Sequence, residues 1–398
     1  MTESAVQITS NDISEDRFSR LRLLGWWDQE RIRKARVLVV GAGALGNEIL
    51  KNLALLGFER VVVVDLDSIE ASNLSRTVLY RDSDIGRGKA AAASAAFQAI
   101  YNKATVQPLR ANILFDVGLG LFDWADIILA GLDNREARLW INRCAWKVGK
   151  PWFDGAIEGL SGLARVFLPG QPPCYECTLG ETDWAILDRR MSCNLLTADD
   201  TLAGKVPTTP TTSAVIAGIQ VQEAMKYLHG LPVLAGKAFV FDGMHHTSYV
   251  VEYTENPDCW SHHQFEEIVR LPLRSNTTTL AALHARAKAD LVSMDVTLEF
   301  SRDVIYQLIC PACGHHDEIF AAVGSVTTGQ ARCPHDGSTR GVVAIHSFNG
   351  TEAFGARTLD TLGLPPWDIF TARSESREIG YVLAGDAPQV LELFHGEL

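Results

Sequence analysis

A glycine-rich turn, Gly41-Ala-Gly-Ala-Leu-Gly46, joins a short β-branched run to a stretch with helical periodicity. The run over 36–40 is almost wholly apolar, which is typical of a buried parallel strand. Apolar residues recur at helical spacing from Ala44 to Leu56, and Gly57 is placed to end that helix. A strand, a glycine turn and a helix direct backbone N–H groups at one point. The sequence therefore predicts a phosphate-binding site in an α/β fold.

Each glycine of the turn has its own expected role. Gly41 allows the tight turn, Gly43 lets a ligand approach the backbone, and Gly46 lets the helix pack closely on the strand. The next strand, over 61–64, ends at Asp65. An acidic residue about twenty positions after the glycines meets a ribose hydroxyl in dinucleotide sites. These residues alone are compatible with an NAD-dependent oxidoreductase.

Polar residues beyond this acid favour a triphosphate. Asn73 and Arg76 are three residues apart, so one helical turn would point both side chains the same way. Lys89 opens an alanine-rich helix, and cations suit a transferring phosphoryl or adenylyl group. The alternative is a solvated, charged surface loop.

Asp133 follows another buried strand, over 127–130. Ligand-binding residues lie at the carboxyl ends of strands in such sheets, so Asp133 is a candidate to hold Mg²⁺ against phosphates. The alternative is that Asp133 is the N-cap of a helix over 134–148.

This ordered set resembles the ubiquitin-activating enzyme superfamily, the ThiF/MoeB adenylating proteins, which use ATP to activate the C-terminal carboxylate of a small ubiquitin-like protein. The resemblance implies a doubly wound, mostly parallel sheet. It also implies an ATP site with Mg²⁺ at Asp133 and a ribose contact at Asp65, built from Gly41, Gly43, Gly46, Asp65, Asp67, Asn73, Arg76, Lys89 and Asp133. Of these, Arg76 and Lys89 would stabilise phosphate charge during catalysis.

The segment Arg17-Phe-Ser-Arg20 precedes the first strand. In the superfamily a similar arm crosses to the partner subunit and places an arginine on the nucleotide. The resemblance therefore implies a homodimer in which Arg20 contributes to catalysis, because a guanidinium fork pairs with phosphate oxygens. Without the resemblance, Arg20 would be read as a surface charge on an amphipathic helix.

Two cysteine groups have metal-type spacing. Cys174 and Cys177 follow a proline-rich turn, and Cys259 and His262 lie far downstream. In the superfamily a later CxxC completes a zinc site, so the resemblance implies structural Zn²⁺ on these four residues. Three thiolates and one imidazole form a known closed set, and the adjacent His263 could replace His262.

The second group lies over 310–337 and looks like a zinc ribbon. Cys310 and Cys313 form one knuckle, and Cys333 begins another with Asp336 where the second thiolate would be. His335 is the other candidate for the fourth ligand, and His315 or His316 could intrude. The imperfect second knuckle leaves open that no metal binds.

The remaining cysteines have different settings. Cys144 lies on a partly apolar helix face, where we expect core packing. Cys193 follows Arg189 and Arg190, whose charges favour a thiolate. The composition of 181–210 predicts a loop. In thioester-forming superfamily members the nucleophile lies in this region, so the resemblance makes Cys193 the candidate; the alternative is an inert loop cysteine.

The 398-residue chain is long enough for a large domain and a smaller one. We predict an N-terminal arm over 1–35, an adenylation domain over 36–265, and a C-terminal α+β domain over 266–398. The sequence shows no membrane-length apolar run and no signal peptide, and its metal-type cysteines suggest reducing cytoplasm. The net charge of −12 argues against nucleic acid as the main partner.

The expected function is adenylation of a ubiquitin-like protein, thioester formation on Cys193, and transfer to a conjugating-type carrier recruited by 266–398. Deleting 266–398 should then spare adenylation. Three alternatives stay open: adenylation only, for a sulfur carrier of the thiamine or molybdopterin type; an NAD oxidoreductase; and a non-catalytic subunit of a heterodimeric activator. Chains of this kind resemble bacterial members, some of them in antiviral defence.

Overall fold

Two β-sheets organise the chain. The structure is a computed structural model, and it describes residues 15–192 and 207–394. In the described parts, every helix is too short or too polar to traverse a lipid bilayer. The helices are α1 Gln29–Lys34, α2 Ala44–Leu56, α3 Lys89–Ile100, α4 Leu119–Trp124, α5 Arg135–Lys147, α6 Glu181–Ser192, α7 Pro210–Leu228, α8 Leu280–Leu291 and α9 Ala387–Val390.

The strands of the first sheet are β1 Arg36–Val40, β2 Arg60–Val64, β3 Thr105–Leu109, β4 Ile127–Ala130, β5 Trp152–Glu158, β6 Ser161–Phe167, β7 Lys237–Asp242 and β8 Thr247–Glu252. Their order is β3-β2-β1-β4-β5-β6-β7-β8. Neighbours from β3 to β5 pair in parallel, and those from β5 to β8 are antiparallel. The order in which strands are added to the sheet reverses between β1 and β4, and ligands bind at such a switch point in doubly wound sheets. The predicted fold class is confirmed.

Both faces of the parallel strands are buried, which explains their continuous apolar sequences. On one face Val37, Val39, Val61 and Val63 pack in a core with α2, α3 and α7. On the other face Leu38, Val40, Val62 and Val64 pack in a core with α4 and α5. With helices on both faces, a ligand can reach the parallel strands at their carboxyl ends.

The second sheet comprises β9 Ile268–Leu271, β10 Thr297–Ile309, β11 His316–Ala322, β12 Gly341–Phe348, β13 Ile369–Arg373 and β14 Glu378–Leu383. Its main path is β11-β10-β13-β14-β9, with β12 paired to β10. The expected smaller C-terminal sheet domain is thus confirmed. The long strand β10 is continuous, although its pairing with β12 shifts register between Glu299 and Val304.

The C-terminal part shares a core with the first sheet. Trp367, Ile369 and Phe394 lie in the same apolar cluster as Leu38 and Val62. Two hydrogen bonds fasten this contact: Arg302 Nη1 donates to the Leu114 carbonyl (2.6 Å), and the Leu119 N–H donates to Asp368 Oδ1 (2.9 Å). Deleting 266–398 would expose this core, so we no longer expect that deletion to spare adenylation.

The loop predicted over 181–210 is wrong for its first twelve residues, which form α6. Glu181 and Asp183 lie in its first turn, where negative charge stabilises the helix dipole. Leu187 is buried, and Trp184 packs partly on the same core. Cys193, the candidate nucleophile, lies outside the described residues.

Candidate functional site

The backbone of the glycine turn lies in direct contact with the backbone of the loop after β4. Gly41 adopts φ +91°, and a Cβ there would lie 2.5 Å from the carbonyl oxygen of Gly131. A Cβ on Gly46 would lie 1.9 Å from the carbonyl oxygen of Gly41. Gly43 differs, because a Cβ there would meet nothing within 4 Å. The first two glycines are therefore required by packing, whereas Gly43 faces open space next to the start of α2.

Asp65 organises the turn from the end of β2. Its Oδ2 accepts from the Ala42 N–H (2.7 Å), and its Oδ1 accepts from the Asp67 N–H (2.8 Å). Burial raises the pKa of Asp65, and the bond from Ala42 and the charge of Lys89 oppose that rise. Both carboxylate oxygens thus hold the backbone of the glycine turn and of the segment after β2 in place.

Lys89 lies beside these acids at the first residue of α3. Its ammonium pairs with Asp67 Oδ2 at 2.7 Å, and its side chain is 13% exposed against 65% for Asp67. The structure thereby brings together Asp65, Asp67 and Lys89, three of the predicted residues. A mostly buried ammonium with a water-facing partner can exchange that partner for phosphate at little cost.

The side chains of Asn73 and Arg76 both bind backbone of their own segment. Asn73 is buried, and its Oδ1 accepts from the Glu70 N–H (3.0 Å). Arg76 Nη1 donates to the Ser72 carbonyl (2.7 Å). The Arg76 N–H donates to the Asn73 carbonyl (3.0 Å), so the two residues share one turn, as predicted; their contact with a nucleotide stays a prediction.

Two residues that the sequence interpretation missed tie this segment to the glycine turn. The side-chain amide of Asn47 donates to the Ala42 carbonyl (2.7 Å), and its oxygen accepts from the Leu79 N–H (3.0 Å). The Tyr80 hydroxyl also donates to the Ala42 carbonyl (2.7 Å). An asparagine on the apolar face of α2 was the available signal, because a buried amide needs partners.

Asp133 lies exposed after the carboxyl end of β4, on the edge that holds the glycine turn. The alternative role as helix cap is wrong, since the cap is Asn134, whose Oδ1 accepts from the Ala137 N–H (2.7 Å). Among the described residues, Asp133 has no hydrogen-bond or ion-pair partner. An exposed carboxylate of this kind fits Mg²⁺, which prefers oxygen ligands.

A buried network next to Asp133 was also missed. Arg138 Nε donates to Asp154 Oδ1 and Arg165 Nε donates to Asp154 Oδ2, both at 2.9 Å. Arg138 also donates to the carbonyls of Leu132 and Gly155, which fixes the ends of β4 and β5 to each other. Burial opposes the charge of Arg165, but the pair with Asp154 raises its pKa.

The first cysteine group forms a compact cluster. The ligand atoms of Cys174, Cys177, Cys259 and His262 all lie within 4.8 Å of one another. Trp146 stacks on the His262 ring with centroids 4.7 Å apart. His263 is not a substitute ligand here, because its Nε2 pairs with Glu378 at 3.1 Å. Three thiols and one imidazole are a donor set that suits Zn²⁺.

The second group is equally close but more exposed. Ligand atoms of Cys310, Cys313, Cys333 and Asp336 lie within 4.8 Å of one another. Hydrogen bonds from the Ser338 side chain and N–H lower the pKa of Asp336. His335 is not in the cluster and stacks on His315 at 4.4 Å. The geometry therefore favours Asp336 as the fourth ligand.

The N-terminal arm is anchored away from the chain's own site. Arg17 Nη1 donates to the Ile100 carbonyl (2.6 Å), and Phe18 packs edge-on against Tyr101. Ile100 ends α3, about 17 Å along the helix from Lys89 at its start. Arg20 is exposed beside this anchor, so the structure does not bring it to the glycine turn of the same chain.

Cys144 is a core residue, as predicted. It is 3% exposed, and burial raises its pKa to about 12.

Comparison with known proteins places this geometry among adenylating enzymes. The model of the ThiF family matches residues 15–261. The chain is 32% identical over 255 residues to a sulfur carrier protein adenylyltransferase of Thermus thermophilus, covering 61% of this chain and 89% of that protein.

The chain is also similar to part of a second group of relatives. The chain is 41% identical over 157 residues to a NEDD8-activating enzyme E1 catalytic subunit of Dictyostelium discoideum, which is 36% of this chain and 35% of that protein. It thus spans about a third of such relatives. A crystal structure of E. coli MccB with ATP has a TM-score of 0.52 at 20% identity, over 63% of this chain and 75% of that chain. At this identity the likeness establishes the fold alone.

Proposed function

Because the chain belongs to the ThiF family, we propose that it uses ATP and Mg²⁺ to adenylate the C-terminal carboxyl group of a ubiquitin-like or sulfur-carrier protein. The observation that carries this proposal is the meeting of the glycine turn, Lys89 and the unpartnered Asp133 at one edge of the sheet. An NAD oxidoreductase needs only the glycines and Asp65, and gives Lys89 and Asp133 no role.

The residues at this edge can act on a triphosphate in defined ways. The N-terminus of α2 and the open backbone at Gly43 receive phosphate oxygens. Lys89 and Arg76 offset the charge that builds up as the carboxylate attacks the α-phosphate and pyrophosphate leaves. Asp133 would hold Mg²⁺, which neutralises phosphate charge when bound.

The antiparallel half of the sheet offers a surface for the protein substrate. Ala156, Leu163, Val240 and Tyr249 are directly paired across β5 to β8 and therefore share one face. Tyr249 is 56% exposed. The row begins next to Gly155, whose carbonyl binds Arg138. A protein docked on this apolar row could extend its C-terminal tail to the nucleotide edge.

We further propose a thioester step on Cys193. Its sulfur would attack the acyl carbon of the adenylate and AMP would leave, after which the acyl group passes to a conjugating-type carrier. The position of Cys193 directly after α6 supports this step. Adenylation alone, for a sulfur carrier, is the second candidate, and the coverage of 89% of the Thermus thermophilus adenylyltransferase favours it.

Two structural roles complete the proposal. Zn²⁺ on Cys174, Cys177, Cys259 and His262 would fix the segment after β8 to the end of β6, and a second Zn²⁺ would hold the ribbon. The chain would act as a homodimer in which Arg20 reaches the nucleotide of the partner subunit.

ATP–pyrophosphate exchange with purified ubiquitin-like and sulfur-carrier candidates tests the proposal. We expect exchange that depends on the protein substrate and is lost in Lys89→Ala and Asp133→Ala, but kept in the exposed control Lys103→Ala. A DTT-sensitive adduct lost in Cys193→Ala would identify the thioester, and exchange without an adduct would favour adenylation only. NAD binding without exchange would refute the proposal.

A further inference from the structure

A crevice of about 370 Å³ lies where the two sheets and the first cysteine cluster meet. Its floor is one stripe of α5: Trp140, Arg143, Cys144 and Lys147 have the i, i+3, i+4, i+7 spacing of a single helix face. One wall is the turn that carries Trp260. Ser301 of the C-terminal part lies on the lining as well.

Trp260 is 89% exposed, although tryptophan is usually mostly buried. It lies between Cys259 and His262, which both belong to the first cluster. A short turn held at both ends loses little conformational freedom when its side chain binds. Rigid, exposed aromatic side chains of this kind are frequent energetic anchors of protein interfaces.

The crevice is lined by the basic residues Arg143, Lys147 and His263, and by no acidic residue among those that the structure describes. Arg143 pairs with Glu176 at 2.8 Å, but the arginine side chain is 40% exposed and the glutamate only 7%. His263 and Glu378 show the same arrangement, with 44% and 10% exposure. Among the described residues, Lys147 has no carboxylate partner, and its ammonium lies 6.0 Å from the Phe265 ring. Arg143 and Lys147 thus place two positive charges on the crevice, and no carboxylate among the described residues lines it.

This basic, tryptophan-lined crevice stands out on a chain whose net charge is −12. We propose that it binds a short acidic segment of a partner protein, with one bulky apolar side chain packed against Trp260. The volume suits a few side chains and is too small for a folded domain. Charge complementarity with Arg143 and Lys147 selects acidic residues on either side of the apolar one.

Helix α5 connects the crevice with the candidate nucleotide site. Helix α5 begins at Arg135, two residues after Asp133, and Trp140 and Lys147 lie about 8 and 18 Å further along it, at a rise of about 1.5 Å per residue. A partner held here would lie one helix length or less from the edge where the acyl-adenylate would form. Its identity as the acceptor of the acyl group rests on the proposed function, whereas the docking itself does not.

Fluorescence anisotropy with the full chain tests the docking. The probe is a fluorescein-labelled peptide with one phenylalanine between two blocks of glutamate, and the control peptides carry alanine or lysine blocks instead. We expect saturable binding of the glutamate peptide that weakens at least about tenfold in Trp260→Ala and in Lys147→Glu. Lys103→Glu and Met294→Ala, on other exposed surfaces, should leave it unchanged.

Several outcomes would overturn the proposal. The first is equal binding of the glutamate peptide by all variants, and the second is no saturation below about 1 mM peptide. The third is complete displacement of the peptide by AMP or pyrophosphate, and the fourth is self-association of the chain that Trp260→Ala abolishes. ATP–pyrophosphate exchange is measured on the same variants. It should stay at the wild-type rate in Trp260→Ala, so loss of docking and failure of adenylation are told apart.

Discussion

Replacing Asp154 by asparagine tests the buried network behind the nucleotide edge. Asp154 is fully buried, and both Arg138 and Arg165 share its carboxylate. Asparagine keeps the size of the side chain but leaves two buried guanidinium groups without a counter-charge. Breaking a buried pair in this way costs about 3–5 kcal/mol. We expect the free energy of unfolding to fall by that amount.

Asp126→Asn is the matched control. Asp126 also pairs with an arginine, Arg36, at 2.7 Å, but both side chains are more than a third exposed. An exposed pair contributes at most about 1 kcal/mol. Urea unfolding at pH 7, followed by tryptophan fluorescence, measures both variants. If Asp154→Asn costs no more than Asp126→Asn, the network is not a desolvated charge cluster and the argument fails.

Three further predictions concern the dimer, the metal and pH. Arg20→Ala and Lys89→Ala should each abolish ATP–pyrophosphate exchange. Refolding the two variants together should restore about a quarter of the wild-type rate, because half of the dimers are mixed and each mixed dimer has one intact site. No recovery would contradict a site shared between subunits. Wild type should carry two zinc ions per chain and Cys313→Ser one by elemental analysis; one ion in both would exclude the ribbon site. Burial opposes ionisation of Asp126, but bonds from Arg36 lower its pKa. The difference in unfolding free energy between wild type and Asp126→Asn should therefore be full at neutral pH and vanish as pH falls below the ordinary carboxyl pKa. A difference that does not change with pH would refute the ion pair as its cause.

Local sequence signals predicted the helix after the glycine turn well. Helix α2 begins at Ala44 and ends at Leu56, as expected, because apolar spacing fixes its face and Gly57 adopts the left-handed conformation (φ +86°) that stops it. Helix α7 likewise begins at local signals, since Thr209 caps it and Pro210 occupies its first turn.

Interactions across the sheet could not be predicted from the sequence. The partners of Asp154 come from α5 and β6, so their pairing depends on tertiary structure rather than on spacing along the chain. The fourth ribbon ligand was ambiguous for the same reason: the folded chain brings Asp336 into the cysteine cluster and places the His335 ring against His315. Cysteine spacing predicted each knuckle because knuckles are local, whereas the joining of Cys174 and Cys177 with the distant Cys259 and His262 was implied by the family resemblance.

The C-terminal sheet is best understood as part of the nucleotide scaffold. A doubly wound sheet needs cover on both faces, yet α4 is only six residues long and lies over the second face. Trp367, Ile369 and Phe394 supply the missing apolar cover. The crevice at Trp260 lies at this same junction. A partner bound there would therefore contact the cysteine cluster, α5 and the C-terminal sheet together, and α5 begins directly beside the residue proposed to hold Mg²⁺.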